Sequence, residues 1–134
     1  MADAVTSQTL VDNQTTAVML FTNISDGVGE SLVTKVNVAN LAANALGQAC
    51  TGVSVQKIHT ACHGLEVRMF WGASSNVFFF GTAQNSQFTF DLSSFGGLVN
   101  NASTGKTGNI LFSTADQSAG DTYTIILEMK KYYN

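Results

Sequence analysis

The chain has 134 residues, of which 45% are hydrophobic and only 11% are charged, and its formal net charge is −3. A chain of this length can bury about two thirds of its unfolded surface in one core, so we expect a single domain over residues 1–134. The six Lys and Arg residues are dispersed, whereas counterion release from phosphates needs clustered basic side chains. This distribution argues against nucleic acid as a partner.

The N-terminal residues have neither a basic segment nor an apolar run, so the sequence predicts no signal peptide. The two longest uncharged stretches, residues 36–56 and 69–90, are interrupted by Asn, Gln, Ser and Gly, which argues against a membrane span. We therefore expect a soluble protein that is synthesised in a cytoplasm. In that compartment Cys50 and Cys62 are expected to remain free thiols.

The first half of the chain contains several expected elements. Residues 1–14 are polar and weakly patterned, and they are expected to form an N-terminal arm or a short edge strand. Residues 16–24 and 32–38 are rich in apolar and β-branched side chains, and the Gly-containing turn between them predicts a β-hairpin. The only helical candidate runs from Asn40, as N-cap, to Gly47, just beyond its C-terminus.

The largest apolar mass of the sequence runs from His63 to Phe80 and predicts a hairpin in the middle of the core. Alternate residues of its first strand are apolar and are expected to point inward: Leu65, Val67, Met69 and Trp71. Its second strand, Val77 to Phe80, is apolar on both faces, as expected of a central strand. Just before this hairpin, residues 53–62 change register near Gln56 and Lys57, which predicts a β-bulge.

The second half of the chain adds three more strand patterns. Residues 87–92 are expected to form a strand with Phe88, Phe90 and Leu92 inward, and residues 109–113 a second, short strand. Residues 122–131 alternate again, and the side chains expected inward are Tyr123, Ile125, Leu127 and Met129. Seven or eight short strands separated by Gly-rich turns predict a mainly β fold with at most one short helix. An antiparallel β-sandwich, jelly roll or barrel fits this pattern.

Two ligand-binding patterns in the sequence are incomplete. Residues 103–107 (STGKT) resemble the end of a phosphate-binding loop, but Asn100 occupies the position of its first Gly and a strand pattern follows instead of a helix. Zinc-type ligands occur at four nearby positions, namely Cys50, His59, Cys62 and His63. Their spacing matches no common zinc finger, and His59 and Cys62 would lie on opposite faces of a strand. We therefore predict neither a nucleotide nor a metal cofactor.

Catalytic patterns are also weak. The Asp residues fall almost entirely in expected loops or at strand ends, and neither His belongs to a nucleophile-elbow pattern. The sequence therefore favours a protein that is not an enzyme and has no catalytic residues.

One polar and aromatic trio, formed by Glu66, Arg68 and Phe70, is a candidate protein interface. The three residues alternate with the inward residues of the same strand and project from its opposite face. A solvated ion pair would be worth less than about 1 kcal/mol, whereas Arg beside an aromatic ring is typical of interface anchors. Leaving Phe70 in water would forfeit about 1.5–3 kcal/mol of burial. We predict that another chain covers this trio, either a second copy or a different protein.

Four segments of the chain resemble small virion structural proteins of tailed bacteriophages, marine phages in particular: TNISDGVGESLVTKVNV, HGLEVRMFW with VFFF, NASTGKTGNILFST and GDTYTIILEM. The resemblance is one of pattern and segment order, and it is nearest to head decoration, or cement, proteins. It implies a virion location at the capsid surface and the major capsid protein as partner. It also implies a homo-oligomer, with a trimer favoured.

Two rival functions remain open at this point. Inside the virion, the alternative is a structural component of the neck or tail. Outside it, the alternative is a carbohydrate-binding β-sandwich, which should expose Trp or Tyr near carboxylates and amides. The single Trp, Trp71, is expected on the core face, which argues against glycan binding.

Overall fold

The structure, a computed structural model, describes residues 4–133, which form nine β-strands in two antiparallel sheets. The strands are β1 (Ala4–Asp12), β2 (Thr16–Asp26), β3 (Val33–Val36), β4 (Gly52–His63), β5 (Glu66–Trp71), β6 (Val77–Gly81), β7 (Gln87–Asp91), β8 (Ile110–Ala115) and β9 (Ala119–Tyr132). Within residues 4–133 the helical segments are two short 3-10 helices, Val38–Asn40 and Ser93–Phe95.

The two sheets pack face to face as a sandwich. One sheet has the strand order β1-β2-β9-β4-β7 and the other the order β3-β8-β5-β6. Between them, the ring of Phe112 in β8 lies 5.2 Å from that of Phe21 in β2 and 6.0 Å from that of Tyr123 in β9, centroid to centroid. The mainly β, sandwich-like prediction is confirmed, although the described residues form nine strands and not seven or eight.

The core consists of the inward rows that strand alternation predicts. The residues predicted to point inward from β5, from the position just before it and from β9 are each no more than 1% exposed: Leu65, Val67, Met69, Trp71, Tyr123, Ile125, Leu127 and Met129. The expected β-bulge in β4 lies between Val55 and Lys57, and it keeps both Val55 and Ile58 fully buried. Of the expected N-terminal arm or edge strand, residues 4–12 form an edge strand, β1, paired with β2, and residues 1–3 lie outside the described residues.

The predicted hairpin between residues 16–24 and 32–38 is wrong, because these strands belong to different sheets. β2 pairs with β1 on one side and with β9 on the other, whereas the four-residue β3 pairs with β8. A Gly-containing turn serves a crossing between sheets as well as a hairpin. The long antiparallel partner β9, which lies far away in sequence, determines the neighbour of β2.

The predicted helix between Asn40 and Gly47 is also wrong. A 3-10 helix ends at Asn40, and its N-cap is Asn37, whose Oδ1 accepts a hydrogen bond from the Ala39 N–H at 3.1 Å. The Asn44 Oδ1 accepts from two backbone N–H groups, those of Leu46 and Gln48, both at 3.0 Å. A helix of two turns is barely stable by itself, and Asn side chains that bond local backbone favour a turn instead.

The prediction that residues 77–80 form a central strand is wrong as well. These residues belong to β6, the outermost strand of the four-stranded sheet, and Phe78 is 54% exposed. The ring of Phe79 stacks on that of Trp71 at a centroid distance of 4.1 Å. An apolar run cannot distinguish a central strand from an edge strand whose rings cover their neighbours.

Three phenyl rings close the side of the sandwich where β6 and β7 end the two sheets. The centroid distances are 5.4 Å between Phe80 and Phe90, 4.7 Å between Phe88 and Phe90, and 6.1 Å between Phe80 and Phe88. Phe88 and Phe90 pair with Thr60 and Ile58 of β4 and therefore face the core side, as predicted. Phe90 is nevertheless 45% exposed, because β7 is the outermost strand of its sheet among residues 4–133. We call Phe80, Phe88 and Phe90 the aromatic rim.

Ionic groups are buried near the loops that adjoin the other two outermost strands, β1 and β3. The side chain of Lys131 is fully buried, and its Nζ donates to Asp12 Oδ1 at 2.6 Å. The same Nζ donates to the carbonyl oxygens of Asn13 and Ala42, both at 2.8 Å. The three donors of the ammonium therefore each have an acceptor, as burial of a charge requires.

A second buried pair, next to Tyr123 near the other end of β9, joins Glu30 and Lys35, whose side chains are 6% and 5% exposed. The Glu30 Oε1 also accepts hydrogen bonds from the Tyr123 hydroxyl at 2.7 Å and from Asn23 Nδ2 at 3.0 Å. These bonds connect the β2–β3 loop with three strands. We call the two pairs, Lys131–Asp12 and Glu30–Lys35, the polar margin.

Candidate functional site

The predicted trio lies on the outer face of the four-stranded sheet, where strand pairing adds two further apolar residues. Phe70 is opposite Leu111 of β8 and Phe78 of β6, so the three side chains form one row across three strands. Arg68 and Glu66 follow on the same face, opposite Ser113 and Ala115 of β8. We call Glu66, Arg68, Phe70, Phe78 and Leu111 the outer-face patch.

The patch is built around two phenyl rings. The rings of Phe70 and Phe78 meet edge to face with a centroid distance of 5.7 Å. Phe78 also covers Gly81, where an added Cβ would lie only 3.0 Å from the ring. This contact leaves Phe70 half-buried and Phe78 54% exposed. The sequence therefore located Phe70 correctly on the outer face but missed the neighbour that carries most of the exposed ring surface.

The charged part of the patch is solvated. Arg68 Nη2 lies 3.9 Å from Glu66 Oε2, and the two side chains are 53% and 27% exposed. An exposed pair at this distance contributes little to stability, at most about 1 kcal/mol. Arg68 thus shares the outer face with the two rings, and about half of its side chain is open to solvent. This arrangement can bind a carboxylate or a backbone carbonyl of another chain while the rings contact apolar side chains.

A second polar group, which the sequence did not reveal, lies on the outer face of the five-stranded sheet. His59 Nε2 is 2.6 Å from Glu128 Oε2, and His59 Nδ1 is 3.2 Å from Thr89 Oγ1. A hydroxyl, an imidazole and a carboxylate in a row resemble the order of a nucleophilic triad. His59 and Glu128 are 69 residues apart, so only the pairing of β4 with β9 brings them together.

The surroundings of Thr89, His59 and Glu128 do not resemble a hydrolytic centre. Such a centre also needs backbone or side-chain donors aimed at a developing oxyanion. His59 belongs to β4, which pairs with β9 on one side and β7 on the other. The backbone N–H groups at this point are therefore used in the sheet and are not aimed at a bound oxyanion. These three side chains are therefore best described as a cross-strand polar contact between β4, β7 and β9.

The positions considered for zinc do not come together. His59 points to the outer face of the sheet, whereas Cys62 is buried and contacts Thr82 Oγ1 at 3.3 Å. Burial raises the pKa of the Cys62 thiol, and the hydrogen bond with Thr82 offsets part of this rise. Cys50 is also a buried free thiol. No cluster of three or more metal-ligating side chains occurs among residues 4–133.

The loop that resembles a phosphate-binding loop leads directly into a strand. Residues 103–107 precede β8, and the backbone of this loop bonds the β5–β6 turn, with Thr107 N–H donating to the Gly72 carbonyl at 2.9 Å. A phosphate-binding loop requires a helix at this point, whose N-terminus faces the phosphate. Residues 103–107 are therefore a loop that bonds the β5–β6 turn and leads into β8.

Comparison with models of known protein families gives no match, and comparison with curated protein sequences gives none either. In the part of the chain that the structure describes, no helix has the length and apolar character needed to cross a bilayer.

Proposed function

We propose that this chain is a virion structural protein of a tailed phage, namely a capsid decoration protein that binds the outside of the major capsid shell and stabilises it. The observation that carries the proposal is the outer-face patch, an aromatic and Arg-containing surface on a strand whose other face belongs to the core. The sequence resemblance supplies the identity of the partner. A structural component of the neck or tail is the alternative within the virion.

The energetics of the patch favour a protein partner. Covering an exposed Phe ring contributes about 1.5–3 kcal/mol, and Phe78 is the more exposed of the two rings. Aromatic side chains and Arg are enriched at the centres of interfaces, where Lys and Glu are depleted. The patch contains the only Arg of the chain, and the low charge of the whole surface reduces the cost of desolvation.

The first experiment measures binding of the purified protein to mature empty capsids of the phage that encodes it. We expect Phe78→Ser and Phe70→Ser to weaken binding at least about tenfold while the chain stays folded, because both remove ring surface from the contact. Ile24→Ser is the matched control, since Ile24 is an equally exposed apolar residue at 57% on β2 of the other sheet. Trp71→Ser should unfold the chain, because Trp71 is only 1% exposed.

The outcomes separate the proposed interface from the proposed function. Unchanged capsid binding by both Phe variants would move the interface to another surface. Failure of the wild-type protein to bind capsids at all would overturn the decoration role. Binding to isolated tails instead, or to a glycan array, would favour the respective alternative.

The second experiment tests stabilisation of the shell directly. Capsids without the protein should form normally but should lose DNA or rupture at a lower temperature, or after a milder osmotic shock, than decorated capsids. Restoring the purified wild-type protein should restore resistance, and Phe78→Ser should not. Equally robust particles with and without the protein would remove the cement role.

A further inference from the structure

We propose that the side chains of Asn23 and Lys35 join in an intramolecular isopeptide bond, with Glu30 as the group that moves the protons. This inference goes beyond the proposed function, because it concerns a covalent modification inside the sandwich and requires no partner. The geometry that carries it is one buried carboxylate, that of Glu30, which contacts both the amine and the amide.

The Glu30 carboxylate bridges the two side chains. Its Oε2 accepts a hydrogen bond from Lys35 Nζ at 2.5 Å, and its Oε1 accepts one from Asn23 Nδ2 at 3.0 Å. The Tyr123 hydroxyl also donates to Oε1, at 2.7 Å, and so helps to orient the carboxylate. A nucleophilic amine and the leaving nitrogen of an amide therefore contact the two oxygens of one general base and acid.

These groups are held in place and shielded from water. Asn23 and Tyr123 are each 1% exposed, and the Glu30 and Lys35 side chains are also buried. The backbone of Glu30 is fixed to β8, because its N–H donates to Thr114 Oγ1 at 2.8 Å and its carbonyl accepts from the Thr114 N–H at 2.9 Å. Fixed orientation reduces the entropic part of the barrier to reaction, and the shortage of water disfavours hydrolysis of the amide.

An irregularity in β3 aims Lys35 at this site. The register between β3 and β8 shifts between Thr34 and Val36, so Lys35 is the extra residue of a β-bulge. Val36 is fully buried, and successive residues of a regular strand point to opposite faces, so a regular β3 would direct Lys35 outward. A Lys on a short edge strand ordinarily extends into water. The bulge instead brings its amine to Glu30.

Lys131, whose side chain is also buried, is not suited to the same reaction. Its Nζ has three acceptors, Asp12 and the carbonyls of Asn13 and Ala42, so all three protons of the ammonium are bonded. Among residues 4–133, Lys35 Nζ has one acceptor, Glu30 Oε2. Two protons of a Lys35 ammonium thus have no acceptor there, and its charge is not held in place as that of Lys131 is.

The reaction balances without an oxidant or a cofactor. Glu30 Oε2 takes one proton from the Lys35 ammonium, and the free amine attacks Asn23 Cγ. The Nζ–Cγ bond forms, a second amine proton passes to Nδ2, and the Cγ–Nδ2 bond breaks. The departing ammonia takes the proton held by Glu30 and leaves as ammonium. An ammonium group and a primary amide become a secondary amide and an ammonium ion, and the Glu30 carboxylate is regenerated.

The bond would connect the two layers of the sandwich covalently. Asn23 belongs to β2 of the five-stranded sheet, and Lys35 belongs to β3 of the four-stranded sheet. β3 has four residues and is the outermost strand of its sheet among the described residues, so it has few other contacts that prevent its detachment. A closed ring over residues 23–35 also restricts the unfolded chain, as a disulfide does.

The first test is the intact mass of the purified wild-type chain, measured in denaturant. We expect a mass about 17 Da below that of the sequence, the mass of one ammonia, because the amide nitrogen is the leaving group. Lys35→Arg and Glu30→Gln should each show the full mass of their sequence, since one lacks the nucleophile and the other lacks the base. Lys130→Arg, at an exposed position, should keep the loss. A wild-type chain at full mass would overturn the proposal.

Peptide mapping of the wild type then locates the bond and needs no variant. Trypsin should not cleave after Lys35, because an acylated Lys has no charge, and a protease that cleaves after Glu30 should leave residues 23 and 35 connected. Ammonia loss that maps to a succinimide at any Asn, with Lys35 still cleaved, contradicts the proposal. A loss of about 18 Da that maps to Asp12 and Lys131 also contradicts it, because water would then have left from the other buried pair.

Discussion

The polar margin and the aromatic rim complete the sandwich with opposite kinds of chemistry. In the polar margin the ion pairs Lys131–Asp12 and Glu30–Lys35 are buried near the two ends of β9, beside the loops next to β1 and β3. The aromatic rim closes the β6–β7 side with phenyl rings and no charge. The polar margin is complete within one chain, because each donor of the Lys131 ammonium has an acceptor. The rim leaves ring surface exposed.

Directional contacts fix the positions of loops, whereas non-directional contacts leave a surface that can accept further apolar contacts. A buried ammonium tolerates only a geometry that satisfies it, so the polar margin fixes loops at defined positions. Burial of apolar ring surface is non-directional and can be extended by any apolar surface of suitable shape. We therefore expect the polar margin to be the less tolerant of substitution and the aromatic rim to be the adaptable side, at which another molecule can bind.

The most severe way to break the polar margin is Lys131→Met. Removal of the ammonium leaves Asp12 Oδ1 and the carbonyl oxygens of Asn13 and Ala42 without the bonds that it donates, while Asp12 Oδ2 keeps only the bond from the Ala42 N–H. Breaking a buried pair by loss of one partner costs about 3–5 kcal/mol. We expect this decrease in the free energy of unfolding, measured by urea denaturation at an unchanged m-value.

The control for this prediction is the adjacent residue. Lys130→Met removes an equal charge from an exposed position and should change the free energy of unfolding by less than about 0.5 kcal/mol. Similar stability losses in both variants would mean that net charge, and not the buried contact of Lys131, is responsible.

The corresponding substitution in the aromatic rim is Phe80→Ala, and its effect should be smaller. Phe80 is half-buried and contacts both Phe88 and Phe90. Since complete truncation of a buried Phe costs about 3–5 kcal/mol, we expect a loss of about 2 kcal/mol here. Phe78→Ala, on the exposed face of the same strand, should cost less. A loss in Phe80→Ala as large as that in Lys131→Met would contradict the tolerance assigned to the rim.

The sequence predicted the strands well but neither of these sides. The alternation of residues 65–71 and 122–131 is a local signal, and a core-facing row follows from it directly. The burial of Lys131 is not a local signal, because it depends on Asp12 at the other end of the chain, 119 positions away. In the pattern of residues 122–131, Lys131 belongs to the inward register, but a terminal Lys is ordinarily solvated.

The candidate site was predictable to a similar extent. Alternation along β5 assigned Glu66, Arg68 and Phe70 to one face. The pairing that brings Phe78 and Leu111 beside Phe70 follows from the strand order β8-β5-β6, which no local pattern specifies. The strand order of a sandwich is determined by which distant segments pair, and a single sequence shows only the turn signals between neighbours.

A pH titration should distinguish the two sides without any change to the rim. Desolvation lowers the pKa of Lys131, but its contacts with Asp12 and Tyr133 outweigh this effect, so its pKa lies above the ordinary value of 10.5. A raised pKa stabilises the folded state below the unfolded pKa, and this contribution is lost as the pH rises through the folded pKa. We expect stability to fall above about pH 10.5, by at most about 1.4 kcal/mol per pH unit from this group. Lys131→Met should lack this component of the fall, whereas Phe80→Ala should retain it.

The smallest effect is expected in the reactivity of the two thiols. One thiol lies near the aromatic rim and the other near the polar margin. Cys62 lies beneath the β6–β7 connection, where it contacts Thr82, and its N–H donates to the Ser86 carbonyl at 2.8 Å. Cys50 precedes β4, whose first residue, Gly52, pairs with Tyr132 next to Lys131. Opening of the rim should therefore expose Cys62, and opening near the polar margin should expose Cys50.

In the wild type both thiols should react slowly with a thiol reagent at pH 8, because both are buried and because burial raises the pKa of Cys62 and so reduces its thiolate fraction. Phe80→Ala should accelerate labelling of Cys62 by a few-fold and leave Cys50 unchanged, whereas Lys131→Met should mainly accelerate Cys50. Peptide mass spectrometry of the labelled protein assigns each rate, and mass measurement under native conditions checks that neither thiol is oxidised or bound to zinc. If each variant accelerates both thiols equally, the two sides open together in one cooperative unit, and the distinction between an adaptable rim and a rigid margin does not hold.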